Sequence, residues 1–432
     1  MFSMSRTAHV RGLRTIAAIG AVSLVAGASS GSGLSSRAAG NVTLRLVGVA
    51  EPMSPATASV IKSYEKAHPN VTIDATYAPG DTYTTAVAAQ VRGGNPPDLI
   101  EVFPGGGSAN SVWELAKSHV IRPLSDQAWA KRIPKAFYPA ARYQGQTYIF
   151  PLSFSMIGMI YNKQVFTKYH ISIPTTYSQL LATCDTLKGD GVAPIALALA
   201  TPWNTQLINY AFVASLVYAK DPHFVADMAA GKISFSKSIG WRQAFNNYLQ
   251  MAQRGCFNDG YTGTEYTASL RLLADGKAAM AVQVTESMPA VEADNPHGQF
   301  GMFPFPGTNG GPSTVSIPVG ANDGFGISTH TTGPQLVAAE QFLEWLNAPQ
   351  NAKKFADALG DPVISGSAPA LPPDLSLMRP KLIQNKTATY MDQFWPNSEL
   401  QPTHFAVIQQ VMTHQITVSQ ALQKMDQAYH KK

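Results

Sequence analysis

Side chains able to do chemistry are thinly spread along this chain. Its ten histidines fall singly, with no i, i+4 pair ahead of an acidic ligand, so the zinc-hydrolase arrangement is not formed. His68, His119 and His170 sit near expected element ends, where capping or plain exposure explains them. A G-x-S-x-G occurs at Gly27-Ala28-Ser29-Ser30-Gly31, but it lacks the strand–turn–helix setting of a nucleophile elbow. There is no P-loop and no G-x-G-x-x-G behind a strand. A pair of carboxylates for glycoside hydrolysis can lie far apart in sequence, yet nothing sets a pair above Glu51, Glu286 and Asp323. No C-x-x-C or histidine cluster accompanies Cys184 and Cys256, so neither a metal nor a cofactor is expected. The residue types favour binding over catalysis.

The N-terminus speaks for export. Arg6, Arg11 and Arg14 precede a small and apolar run from Thr15 to Ala26, and Ala26-Gly27-Ala28 has the small-x-small form that signal peptidases cut. A run of about 12 residues is too short to span roughly 30 Å of hydrocarbon. A leader at 1–28 and a Ser/Gly tether at 29–40 are therefore expected. Ala28 stands where a lipoprotein signal needs Cys, so a released or periplasmic protein is expected. Removing three arginines from a net charge of +5 leaves +2, with no basic stripe for nucleic acid. In an exported chain an even cysteine count favours a disulfide. Bonding Cys184 to Cys256 would close a loop worth about 4 kcal/mol; two buried free thiols are the alternative.

The elements that must position these residues alternate. Val42–Val49 reads as a strand. Ser54-Pro55 opens a helix that stops before His68-Pro69. Further strands at 71–73 and 98–103 flank a helix at 83–92. This β-α-β-α-β order implies a parallel sheet, with ligands beyond the carboxyl ends of the strands. Those ends place Glu51, Asp81, Tyr83, Gly105 and Gly106 at a mouth. A second alternation follows: strands at 156–161, 193–199 and 278–282, and helices at 177–188, 207–218 and 241–254. With 432 residues and 45% hydrophobic composition, the chain is long enough for two α/β lobes.

Several segments carry a resemblance in their order and spacing: His68-Pro69-Asn70-Val71-Thr72-Ile73, Pro97-Asp98-Leu99-Ile100, Gly145-Gln146-Thr147-Tyr148-Ile149-Phe150-Pro151, Tyr161-Asn162-Lys163-Gln164-Val165-Phe166 and Asp275-Gly276-Lys277-Ala278-Ala279-Met280. The chain after residue 41 resembles extracellular solute-binding proteins of ABC transporters, in the sugar-binding, maltose-binding-protein-like branch. The resemblance implies an α/β, two-lobed periplasmic-binding-protein-like fold of type II, each lobe a mainly parallel sheet flanked by helices. It implies three crossings, with lobe one at 41–152 and 302–360 and lobe two at 153–301 and 361–432. Hinge strands would lie near 150–155, which includes Ser155, and near 303–306. A monomer that hands a carbohydrate to membrane permease subunits is the implied role. Both cysteines would share the second lobe, which supports the disulfide.

The resemblance also implies site residues. Trp203 falls where the family places an aromatic platform for a sugar ring, with a core tryptophan as the alternative. Glu51 falls where a polar residue meets ligand hydroxyls, and Gly105-Gly106-Gly107 would let backbone N–H groups approach a ligand. Asn322-Asp323-Gly324 and Phe394-Trp395 fall in stretches that approach the cleft. One departure stands out. Where many relatives present Gly-x-Trp, this chain has Val284-Thr285-Glu286. A carboxylate accepts hydrogen bonds but offers no apolar face. A sugar is expected, with a polyol, amino sugar or phosphodiester as alternatives, and an extracytoplasmic hydrolase as the competing class.

Overall fold

In the first sheet Leu99–Val102 and the second half of Val42–Val49 are buried on both faces, while the edge strand Val71–Ala78 alternates buried Val71 and Ile73 with exposed Thr72 and Asp74. In the computed structural model, which describes residues 41–93, 96–364 and 371–431, Val42–Val49 pairs in parallel with Val71–Ala78 and with Leu99–Val102. Gly324–Ile327 closes the far edge antiparallel to Leu99–Val102. The expected leader and tether lie outside the described residues. Ser54–Ala67 buries Val60, Ile61 and Tyr64 against this sheet, and Gly333–Leu346 meets it through Phe342, whose ring stands 5.0 Å from Tyr64. Met53 is the N-cap, and Ser54 already belongs to the helix.

The second sheet is organised around Phe154–Asn162, whose nine residues are all buried. It pairs antiparallel with Ala278–Val284, Phe300–Phe303 and Ile317–Ala321. Ala193–Ala196 extends the sheet in parallel on one side, and Thr387–Thr389 on the other. This sheet is therefore mixed rather than mainly parallel. Its central strand enters from the hinge at Phe154, whereas Ala278–Val284 and Ile317–Ala321 run toward the hinge. Helices Tyr177–Gly189, Pro202–Val213 and Tyr266–Ala274 pack against it, and Ile239–Gln253, Leu400–Met412 and Val418–Tyr429 pack outside Pro202–Val213. No helix among the described residues is long and apolar enough to cross a membrane.

The second crossing lies elsewhere than the expected 303–306. Phe300–Phe303 and Ile317–Ala321 both pair with the central strand of the second sheet, so the chain first returns to the first lobe at Asn322–Gly324. In the stretch that follows, Phe305 to Gly307 are buried in the second lobe and residues 308–314 form its exposed loop. The histidines near element ends also find their explanation. His119 and His170 have φ of 53° directly after helices Val112–Lys117 and Lys163–Lys168. They take the left-handed position that ends a helix.

Cys184 and Cys256 form a disulfide across 72 residues, with Cα atoms 5.0 Å apart. It ties Tyr177–Gly189 to the segment after Ile239–Gln253, whose Cys256 carbonyl accepts from the Ile195 N–H. Both cysteines are fully buried. Cys184→Ser with Cys256→Ser should cost about 4 kcal/mol by the loop-closure argument. Denaturant unfolding of the variant beside the parent checks this, and equal midpoints would refute it.

Candidate functional site

Three strands cross between the lobes side by side. Ser153 bridges Val363, the Asn322 N–H donates to the Ser153 carbonyl at 2.9 Å, and the Ile364 N–H donates to the Leu152 carbonyl at 3.1 Å. Side chains fasten the same place. Asn322 Nδ2 donates to Glu286 Oε1 and to Asp361 Oδ2, both at 2.7 Å. Ser155 Oγ donates to Glu286 Oε2 at 2.6 Å and accepts from the Tyr390 hydroxyl at 2.8 Å. Ser153 and Thr285 supply hydroxyl donors to Asp361 at 3.0 and 2.5 Å. Such a cluster holds the crossings in register while leaving rotation about them open.

Above this floor a cavity of about 470 Å³ opens between the lobes. The first lobe contributes Val49, Glu51, Met53, Phe103, Gly106 and Ser108 to its wall. The second contributes Ile157, Trp203, Gln206, Tyr210, Glu286 and Tyr390, and Asp323 lies at the crossing. The mixture of apolar and aromatic faces with a few carboxylates is that of a small-molecule site. Trp203 stands in the first turn of Pro202–Val213, with its ring 4.8 Å from Tyr266 at 57°. Its Cδ1 would lie 3.5 Å from a Cβ at Gly80 of the first lobe, so the tryptophan reaches the seam.

Electrostatics are dominated by burial without countercharge. Burial pushes the carboxyl of Glu101 up to about 7, although the Val49 N–H donates to it at 3.0 Å. Asp323 is raised well above the usual range by burial and by Glu101 beside it, and burial likewise raises Glu286 and Asp361. Glu101 and Asp323 lie together as a buried pair of acids, and Glu101 favours the protonated form of the Asp323 carboxyl. Gly48 makes room for the pair, since a Cβ there would come within 2.7 Å of Glu101 Oε2.

Of the residues singled out from sequence, Glu51, Gly106, Ser155, Trp203, Glu286 and Asp323 reach the cavity wall. Others do not. Tyr83 is fully buried, with its hydroxyl 2.6 Å from the Glu101 carbonyl oxygen, which it donates to. Trp395 packs in the second core, its ring 5.5 Å from His404 and 6.1 Å from Tyr210. Asp81 lies in helix Gly80–Arg92, and its side chain falls outside the described set. Gly105 turns its N–H to the Ala140 carbonyl, and Gly106 turns its own to Gln393 at 3.2 Å. These N–H groups face protein, not open cleft. A Cβ at any of Gly105, Gly106 or Gly107 would collide with the backbone of Asp392–Trp395; the glycines let the lobes touch.

Sequence reasoning missed Gln206, Tyr210, Tyr390 and Asp392. Every residue from Asn204 to Val213 is buried, so no periodic face marked the first two. Glu101 carried a usable signal: a lone acid in the strand Leu-Ile-Glu-Val, whose four residues are all buried, has to be paired or protonated.

Two lobes joined by three adjacent crossings, with an aromatic wall and a carboxylate floor between them, define a hinge-bending solute binder. The chain belongs to the family of bacterial extracellular solute-binding proteins, which matches residues 59–378. It is 22% identical over 384 residues to a multiple sugar-binding protein of Streptococcus mutans, covering 88% of this chain and 89% of that one. Among solved structures, a chitin oligosaccharide binding protein superposes with a TM-score of 0.75 at 19% identity, over 90% of this chain and 98% of its own. A sugar transporter protein of Bacillus licheniformis, solved in complex with stachyose, gives 0.71 at 19%, over 90% and 99%. These likenesses establish the two-lobed solute-binding fold.

Proposed function

We propose that this protein is the exported substrate-binding component of an ABC importer, capturing a sugar or short oligosaccharide by closure of its lobes and delivering it to permease subunits. The observation that carries the reading is the cavity of about 470 Å³ between the lobes, with Trp203 at its seam and Glu286 and Asp323 at its floor. An aromatic face covers the C–H side of a sugar ring, and carboxylates accept from its hydroxyls. Each lobe holds part of these contacts. A ligand that satisfies both therefore shifts the open–closed equilibrium by its differential affinity. The sugar-binding names of the relatives support the ligand class, and the basic, apolar, small-residue segment at 1–28 supports export.

The protein acts as a carrier without turnover. Its floor carboxylates are held by Ser155, Asn322 and Thr285 in a network that spans the hinge. A thermal-shift screen over mono- and oligosaccharides tests the reading, because a ligand of the native state raises the midpoint. The bound sugar should be recovered unchanged. Loss of a supplied glycosidic bond, or no shift with any sugar, refutes the proposal. Trp203→Ala should weaken the best sugar about tenfold, the worth of one aromatic platform, with the unliganded midpoint preserved. An unaltered dissociation constant by titration calorimetry would remove Trp203 from the site.

A further inference from the structure

Two helices of the second lobe run antiparallel along one side of the cleft. The Gln409 amide donates to the Leu199 carbonyl at 2.8 Å, just ahead of Pro202–Val213, while His404 meets Asn209 at 3.1 Å in its later turns. Trp203, Gln206 and Tyr210 line the cavity from the first helix, and Gln401, Phe405 and Gln409 from the second. At the usual rise, Trp203 to Tyr210 spans about 10 Å of helix and Gln401 to Gln409 about 12 Å. That wall is longer than one pyranose ring.

Phe405 is the large side chain on this wall that the fold leaves unused. Leu400–Met412 buries Leu400, His404, Val407, Ile408, Val411 and Met412, and Phe405 falls off that face. It is half-buried, packs into none of the hydrophobic cores of the described residues, and its ring turns to the cavity. Neighbouring rings are already engaged: Trp203 lies 4.8 Å from Tyr266, and Tyr210 stacks on His404 at 5.5 Å. Gln401 and Gln409 stand one helical turn to either side of Phe405. Each commits its amide nitrogen to the protein, to Asp392 and to the Leu199 carbonyl. Their amide oxygens meet no protein donor among the described residues and can accept from hydroxyls. A flat apolar face between two acceptors matches the C–H side and the hydroxyl edge of a sugar ring.

We propose that Phe405 is a second ring platform, and that the occupant is an oligosaccharide of at least two pyranose units lying along these helices, one ring at Trp203 and the next at Phe405. This rests on the reading of the cleft as a sugar site. A single sugar covers one platform and leaves the other in water. A linked pair covers both, and its second ring binds without a second loss of overall freedom.

The experiment is titration calorimetry on the mature chain with ladders of one, two and three rings: D-glucose, maltose and maltotriose; D-glucose, cellobiose and cellotriose; D-galactose, melibiose and raffinose. In the ladder that binds, the two- or three-ring member should be at least about tenfold tighter than the single sugar. Phe405→Ala should weaken that member about tenfold, leave any measurable single-sugar affinity within about twofold, and keep the unliganded melting midpoint. Phe405→Trp, which restores a flat face, should hold the affinity within about threefold of the parent and serves if the alanine variant fails to fold. A single sugar that binds as tightly as its longer partners, or a ladder unchanged by Phe405→Ala, overturns the inference and leaves the sugar-binding function standing. Failure of every probe overturns both.

Discussion

Gly106→Val lowers the affinity for the captured ligand by at least about 100-fold, with the fold of each lobe intact. The reason is geometric. Gly106 belongs to the first lobe, and a Cβ there would collide with the Trp395 carbonyl oxygen and stand 2.6 Å from Trp113 Cε3. The carbonyl is backbone of the other lobe and has no rotamer by which to yield. The two lobes must then stay apart, and a ligand that needs both walls finds one at a time. If the competent state falls to a hundredth of its population, apparent affinity falls by the same factor. Calorimetric titration gives the affinity and small-angle scattering gives the separation of the lobes. Gly145→Val is the control, because nothing lies within 4 Å of a Cβ there, although its φ of +80° strains any replacement. An unchanged dissociation constant in Gly106→Val would show that closure does not bring these backbones together.

The unliganded protein loses stability as pH rises from about 5 to about 8, by on the order of 5 kcal/mol. Burial holds the carboxyl of Glu101 at about 7 and that of Asp392 at about 6, and it raises Glu286, Asp323 and Asp361 too. The folded state therefore binds protons that the unfolded chain has released. Such groups stabilise fully below the unfolded carboxyl range near 4, and the contribution is lost as pH climbs through each folded value. His404 works in the other direction. Buried against Trp241 and Trp395, it is held down to about 3, so its effect is a loss of stability as pH falls below about 6.5. Five acids outweigh one imidazole across most of the window. Glu101→Gln should flatten the profile and raise the midpoint above about pH 7. Chemical denaturation at stepped pH measures this, and a profile that climbs from acid to neutral would refute it.

Much of the architecture could be read in advance because it rests on local rules. Pro55 near a helix start, Pro69 after its end, and the switch from alternation to helical spacing between Val42 and Arg92 all depend on near neighbours in sequence. The second crossing could not be read that way. Phe300–Phe303 and Ile317–Ala321 are short and apolar, and the strand they join is decided by pairing across more than a hundred residues. The site divides along a similar line. Glu51 stands next to a strand end, where topology says a mouth should be, and Asp323 stands in a stretch that only the family resemblance placed at the cleft; both reach the wall. Trp395 has the same residue type as Trp203 but lies in a stretch packed by Phe235, Tyr210 and His404. Nothing in composition separates an aromatic that faces solvent-filled space from one that faces other rings. Tyr210 and Gln206 sit on a helix buried all round, which erases the periodic signal that would have singled them out.

Because Gly324–Ile327 is the last strand to join the first sheet, neither half of the molecule is a continuous stretch of chain. A ribosome or a secretion channel delivers Val42, Val71 and Leu99 early, but Leu99–Val102 keeps a bare edge until more than two hundred further residues have followed. Gene fragments ending before residue 324 would thus leave an unpaired strand open to aggregation. With three crossings the lobes alternate as four segments along the chain, so neither a single cut nor a circular permutation would yield either lobe as one piece.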